Sequence, residues 1–148
     1  MTDVRLGHVH FEVSDLERSI AFYEVTLGLE VRERVSRFAF LAWEDTHHDL
    51  ALQEVPTGEQ ATPPERTDGP TVGLYHVAFE FDDADALGRA YRRLTEADVT
   101  VTPVDHGISK ALYVDDPDGN GVELYVDTRS SPDERWGGRS VPFDPETL

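Results

Sequence analysis

"LGHVHFEVSD", Leu6 to Asp15, returns as "LYHVAFEFDD", Leu74 to Asp83. Leu, His, Val, Phe, Glu and the closing Asp coincide at a constant offset of 68 residues. In both copies apolar and polar residues alternate, as in a half-buried strand. After each copy the period lengthens to that of a helix. Leu16, Ile20, Tyr23 and Leu27 share one face in the first, behind a Ser14-x-x-Glu17 capping box and ahead of a terminating Gly28. Leu87, Ala90, Tyr91 and Leu94 do the same in the second, behind Asp82 and Asp83.

Strand-like stretches follow each helix, at about 29–35, 37–43 and 49–55 in the first copy and about 99–104, 109–115 and 121–127 in the second. The expected class is therefore α+β, built from two βαβββ modules at about 4–55 and 72–127. The segment 56–71, rich in Pro, Gly and charge, is expected to link them. The tail 128–148 looks irregular, with Trp136 and Phe143 as its anchors. One module has a sheet with an apolar face and nothing to cover it. Two side by side are expected to make a single domain, with one curved mixed sheet around a cleft and the helices outside. A cleft between two repeats is a natural ligand site.

The chain has 148 residues, enough for one domain with a full core. Thirteen basic residues against thirty acidic ones give a formal charge of −17. That charge disfavours nucleic acid and anionic membranes as partners. No apolar run is long enough to span a bilayer and no signal peptide is evident, so a cytoplasmic protein is expected. With no cysteine, disulfides and thiolate metal sites are excluded.

"DPDGNGVELYVD", Asp116 to Asp127, has the spacing of a calcium loop, with Asp116, Asp118 and Asn120 at positions one, three and five and Gly121 at six. Such a loop needs a helix on each side. Here "ALYV" precedes it and "VELYV" follows, both strand-like, and Pro-Asp-Gly is turn chemistry. A β-hairpin is the better reading. Its second strand carries Glu123 among Val122, Leu124 and Val126. A carboxylate buried there needs a cation or a shifted pKa. The competing reading turns Glu123 to solvent, since strands alternate.

His8 and His76 are equivalent positions of the repeat, each in the opening strand of its module. With Glu123 they make a set of two imidazoles and one carboxylate. On one face of an octahedron that set leaves three positions open, which suits non-haem Fe(II) and admits Mn(II) or Zn(II).

"GHVHFEVSDLERSIAFYEVTLGLEV" closely resembles the opening module of the vicinal oxygen chelate superfamily, and "DDPDGNGVELY" resembles its metal-bearing final hairpin. That superfamily includes glyoxalases, extradiol dioxygenases and the bleomycin and fosfomycin resistance proteins. The resemblance runs to about Val126. It implies that His8, His76 and Glu123 are the metal ligands.

Extradiol catechol dioxygenases are the most similar branch. In "HHDLAL" the resemblance makes His48 an acid–base residue, three before Ala51. It also implies an active-site Tyr ten residues before the carboxylate ligand, here Tyr113. A turn centred on Asp118 places residues 113 and 123 opposite one another on one face. His106, in "DHGISKALYV", resembles a histidine of the dioxygenases' substrate pocket. His10, two residues past His8, is expected to be structural or to line the pocket. His48 and Ala51 differ in strand parity. Either His48 lies at the strand mouth, before regular geometry begins, or a bulge intervenes. His47 shares the parity of Ala51 and is the fallback; otherwise it is a solvent-exposed loop residue.

The implied activity is ring cleavage of a catechol-type substrate with dioxygen, using Fe(II) or Mn(II) or another divalent metal, and a homodimer is expected. The alternatives are a metal-dependent isomerase or lyase of glyoxalase type, and a non-enzymatic drug- or metabolite-binding protein. Glyoxalase I resembles the chain in fold but adds a Glu ligand where this chain has Ala51, or Gln53 if the register shifts by two. The basic and Ser/Thr cluster of the fosfomycin enzymes is not apparent.

Overall fold

A computed structural model describes residues 4–55 and 72–148. The chain divides into two compact units, Met1–Glu65 and Arg66–Leu148. The expected linker, 56–71, lies outside the described residues.

Unit 1 runs β1 (Val9–Val13), α1 (Leu16–Leu27), β2 (Glu30–Val35), β3 (Phe38–Ala42) and β4 (Leu50–Glu54). Its sheet has the order β1-β4-β3-β2, with β1 parallel to β4 and the other pairs antiparallel. The expected helix face is buried: Leu16, Ile20, Tyr23 and Leu27 are all under a tenth exposed. Each large apolar side chain so covered contributes about 2 kcal/mol.

The helix ends are set differently at its two termini. Gly28 closes α1 in the left-handed region, at φ 66°, and returns its N–H to the Glu24 carbonyl, as the sequence implies. The start is shifted by one residue. Asp15 is the N-cap and accepts from Arg18 N at 3.0 Å. The Ser14–Glu17 box does not form because its parts have other partners. Ser14 Oγ accepts from Arg18 Nη2, Glu17 forms a two-pronged pair with Arg34, and the Leu16 amide donates to Glu54 from β4.

Unit 2 repeats the order: β5 (Val77–Glu80), α2 (Ala84–Glu96), β6 (Thr102–Asp105), β7 (Ser109–Asp115) and β8 (Gly121–Asp127). A fifth strand, β9 (Val141–Pro142), and a short 3-10 helix (Pro145–Thr147) follow. The sheet order is β5-β8-β7-β6-β9, parallel only between β5 and β8. Val122, Leu124 and Val126 are buried on one face of β8, and Leu87, Ala90 and Leu94 of α2 are wholly buried. Asp83 caps α2 through Ala86 N at 2.7 Å. Each unit thus has the expected βαβββ order, and the hydrogen-bonded strands form one sheet per unit.

The tail is more regular than its sequence suggests. Its β9 extends the sheet at β6, and Leu148 lies against α2, where a Cβ on Gly88 would stand 3.2 Å from it. Phe143 is half-buried beneath Lys110 Nζ, 5.2 Å from the ring centre. Trp136 is not the anchor it was expected to be, for it is 57% exposed. Its indole N–H is satisfied locally by the Arg139 carbonyl at 2.8 Å, so it needs no deeper partner.

Candidate functional site

The β7–β8 hairpin positions the polar residues of unit 2. Asp116 sits at its turn, only 4% exposed. One carboxylate oxygen accepts from the amides of Asp118 (2.9 Å) and Asn120 (2.8 Å), and the other from Asn120 Nδ2 (2.9 Å). The apparent calcium ligand Asp116 is thus turned onto the loop's own N–H groups, between two strands. This turn sets the register, and Tyr113 pairs with Glu123 as the turn-centre argument requires.

Glu123 is therefore neither solvent-facing nor alone. Its side chain is 12% exposed. Tyr113 donates its hydroxyl to Glu123 Oε1 at 3.1 Å, and His76 Nε2 lies 2.8 Å from Oε2. His106 Nε2 is 2.9 Å from the Tyr113 hydroxyl. A continuous chain, His76–Glu123–Tyr113–His106, crosses the face of the sheet opposite α2. Burial pushes the Tyr113 phenol well above its usual range, and the Glu123 charge adds to that. The phenol thus keeps its proton at neutral pH and acts as a donor. His76 Nδ1 is buried with no hydrogen-bond partner among the described residues, an unusual state for an imidazole nitrogen.

In unit 1 His8 stands one residue before β1, as His76 stands one before β5. The His8 ring lies 4.5 Å from that of His48, and His48 is 5.0 Å from Phe40. The parity conflict resolves at the strand mouth, since His48 precedes β4, which begins at Leu50. His47 is not a bystander. Its Nδ1 is 2.7 Å from His48 Nδ1, and its Nε2 is 2.8 Å from Glu33. One of the two facing Nδ1 atoms must carry a proton and the other accept it. Burial holds His48 below the ordinary imidazole pKa, with the His8 and His47 rings acting in the same direction. His48 is then neutral near pH 7. His10 lies edge-on to Phe38 at 6.2 Å, and its strand pairs it with Ala51.

Among the described residues, neither unit by itself holds three His, Asp or Glu side chains grouped to bind a metal. Unit 2 contributes two of the expected ligands side by side, and His8 belongs to unit 1. An imidazole nitrogen and a carboxylate oxygen converging at 2.8 Å have the donor chemistry of a first-row divalent cation, so the residues fit such an ion.

Sequence reasoning passed over other members of this face. Tyr125 donates to Glu80 Oε2 at 2.9 Å, and burial together with that bond pushes its phenol up to about 12. Both were within reach of the sequence, because Tyr125 is two residues past Glu123 and Glu80 is the repeat's own glutamate. Ser140 Oγ and the Arg139 carbonyl, 3.0 and 3.3 Å from His106 Nδ1, gave no sequence signal.

The chain is 38% identical over 125 residues to a catechol-2,3-dioxygenase of Bacillus subtilis, a match covering 84% of this chain and 42% of that protein. It is thus similar to less than half the length of that relative. It is 37% identical over 131 residues to biphenyl-2,3-diol 1,2-dioxygenase 3 of Rhodococcus globerulus, covering 88% of this chain and 67% of the relative. Among solved structures, a glyoxylase/bleomycin resistance protein/dioxygenase domain from Frankia superposes with a TM-score of 0.69 at 24% identity, over 85% of this chain and 99% of that one. This last likeness speaks for the fold. A family model matches residues 5–124, from the strand mouth before His8 to one residue past Glu123, and the chain belongs to the Glyoxalase/Bleomycin resistance protein/Dioxygenase superfamily.

Proposed function

We propose that the chain is an extradiol ring-cleaving dioxygenase acting on a catechol-type substrate. The observation that carries this reading is the pairing of Tyr113 with Glu123, backed by His106. It sets a protonated phenol beside a candidate ligand carboxylate, where it can donate to an oxygen of a substrate bound there. The similarity to two dioxygenases of aromatic diols supports the same choice.

In this reading His8, His76 and Glu123 would hold Fe(II), or Mn(II) in its place. Two neutral imidazoles and one carboxylate leave the divalent ion with a single net positive charge, which suits a catecholate monoanion. When bound, the ion supplies Lewis acidity toward the catechol hydroxyls and the spin chemistry that lets an organic ring react with dioxygen. The protein's residues handle position and protons. When substrate binds, Tyr113 turns its O–H from Glu123 to a substrate oxygen, and His106 holds the phenol in place. His48 is neutral, and His47 engages its Nδ1, so Nε2 is the atom that takes a catechol proton and later returns it. Both atoms of dioxygen enter the product, a ring-opened semialdehyde acid, and no external reductant is needed. The substrate is a small aromatic diol, and the oligomer we expect is a homodimer in the cytoplasm.

The test is anaerobic loading with Fe(II), followed by oxygen uptake and semialdehyde absorbance with catechol, methylcatechols and 2,3-dihydroxybiphenyl. Uptake of one dioxygen per ring cleaved is expected. An iron-replete protein that consumes no oxygen with any of them would sink the reading. Turnover of a hemithioacetal without oxygen would replace it with the isomerase.

A further inference from the structure

The last segment of unit 2 folds back onto the turn that carries His106. Val141 and Pro142 pair with Asp105 and Val104 of β6. Just before them, Arg139 Nη2 reaches Asp105 Oδ2 at 3.1 Å, and Asp105 Oδ1 accepts from the Gly107 amide at 2.7 Å. Gly107 has φ +79°, and a Cβ there would stand 3.2 Å from Arg139 Cδ, so the turn needs glycine for its backbone and for this close approach. The result is that two oxygens face His106 Nδ1, Ser140 Oγ at 3.0 Å and the Arg139 carbonyl at 3.3 Å.

Those two neighbours differ in what they can serve. A carbonyl oxygen only accepts, so Arg139 favours a proton on Nδ1. A hydroxyl donates or accepts, so of the two only Ser140 can satisfy a bare Nδ1 with the proton on Nε2. The far side of the ring decides between them. Tyr113 has one proton, and it goes to Glu123 Oε1. The phenol oxygen, 2.9 Å from His106 Nε2, must then accept. Of the two neutral tautomers only Nε2–H satisfies it, and Ser140 is also the nearer neighbour of Nδ1.

We propose that Ser140 is a positioning residue whose hydroxyl donates to His106 Nδ1 and fixes the Nε2–H tautomer that Tyr113 requires. Without that hydroxyl, Nδ1 faces the Arg139 carbonyl alone and takes up a proton. Nε2 becomes bare and competes with Glu123 for the single phenol proton. Ser140 is exposed, so water partly replaces its hydroxyl, and its loss shifts the tautomer population rather than inverting it. Ser140 lies past the end of the family match at residue 124. The tautomer argument stands on hydrogen bonding alone; its consequence for turnover rests on the dioxygenase reading above.

The decisive measurement is long-range proton–nitrogen NMR of His106 in the full-length, nitrogen-15-labelled chain, assigned by comparison with His106→Gln. Wild type should show the Nε2–H form. Ser140→Ala should move the population toward Nδ1–H, and Ser140→Thr, which keeps the hydroxyl, should restore it. In the iron-loaded protein Ser140→Ala should lower kcat for catechol roughly tenfold, with KM and iron content unchanged, as for other partners that orient a site residue. Arg139→Ala keeps both the carbonyl and the hydroxyl, and β9 still pairs with β6, so it should shift the tautomer less than Ser140→Ala. An Nδ1–H wild type, an unchanged Ser140→Ala spectrum, or an equal kcat loss in Arg139→Ala would overturn the proposal. A wild type that consumes no oxygen while showing the expected tautomers would remove only the dioxygenase reading.

Discussion

The two units place different chemistry on the same row of backbone. In unit 1 the row runs His10, Ala51, Phe40, Glu33 across β1, β4, β3 and β2. In unit 2 it runs Ala78, Glu123, Tyr113, Thr102 across β5, β8, β7 and β6. His10 and Ala78 are equivalent in the repeat, so the pairing makes Ala51 the counterpart of Glu123 and Phe40 the counterpart of Tyr113. This removes Gln53 from contention for that place in unit 1. The fold alone thus does not dictate the charge. Ala51 is 1% exposed, under an aromatic and imidazole surface, whereas Glu123 has an imidazole and a phenol within hydrogen-bond reach. The equivalent histidines differ in the same way. His76 meets a carboxylate, and His8 meets a second imidazole. Under the proposed dioxygenase reading, unit 2 supplies two of the cation's ligands and unit 1 sets a neutral base beside the third.

The strongest way to break that contrast is to make the central position alike in both modules. Glu123→Ala gives unit 2 the residue of unit 1. It removes the carboxylate and leaves His76 Nε2 without its partner, so the chain should lose most of its bound iron, read by elemental analysis. Catechol turnover should fall by more than roughly 10⁴-fold, beyond the loss of a positioned acid–base group. Circular dichroism should be little changed, because Val122, Leu124 and Val126 still fill the other face. A variant that retains full iron and activity would show that the ligand set is wrong.

A smaller effect is expected from the neutral-base side. His48→Ala should keep its iron, bind catechol and lose roughly 10²–10⁴ in turnover. His47→Ala removes the bond that orients His48, along with an exposed pair to Glu33, so turnover should fall about fivefold, the equivalent of about 1 kcal/mol for one hydrogen bond. Oxygen uptake by both variants, each with measured iron, checks the order. If His47→Ala is the more damaged protein, the proton moves through the other ring.

Much of this was readable from the sequence because it rests on local periodicity. The strands of both modules lie within a few residues of the alternating stretches, and the facing of Tyr113 and Glu123 follows from where a Pro-Asp-Gly turn must centre. What stayed hidden depends on competition or on distance. The capping box has the right letters at Ser14 and Glu17, but Arg18 and Arg34 engage their side chains and Asp15 takes the cap. His48 follows no strand parity because the segment before β4 is irregular. Ser140 meets His106 across 34 positions through a two-residue strand, which is too short to have a period at all.

The hairpin turns sharpen the comparison at its smallest scale. Each module closes its third and fourth strands with an aspartate. In unit 1 Asp49 Oδ2 accepts from Trp43 N at 3.2 Å and from Thr46 Oγ1 at 3.0 Å, holding a longer loop that bears His47 and His48. In unit 2 Asp116 holds a tight turn that bears none of the candidate site residues and fixes register instead. Asp116→Ala frees two amides and the Asn120 side chain at a site only 4% exposed. It should cost about 2 kcal/mol, because these are hydrogen bonds to a charged acceptor. For a chain of this size that is roughly 5 °C in Tm. Asp118→Ala keeps the backbone amide that Asp116 holds, so it should cost less, within about 0.5 kcal/mol. Iron content and kcat should follow stability in both variants rather than fall separately, since neither residue belongs to the proposed ligand set. Thermal melts with and without calcium make the check. A melting temperature raised by calcium in wild type but not in Asp118→Ala would mean that the loop binds the ion after all, and that its carboxylates turn outward to do so.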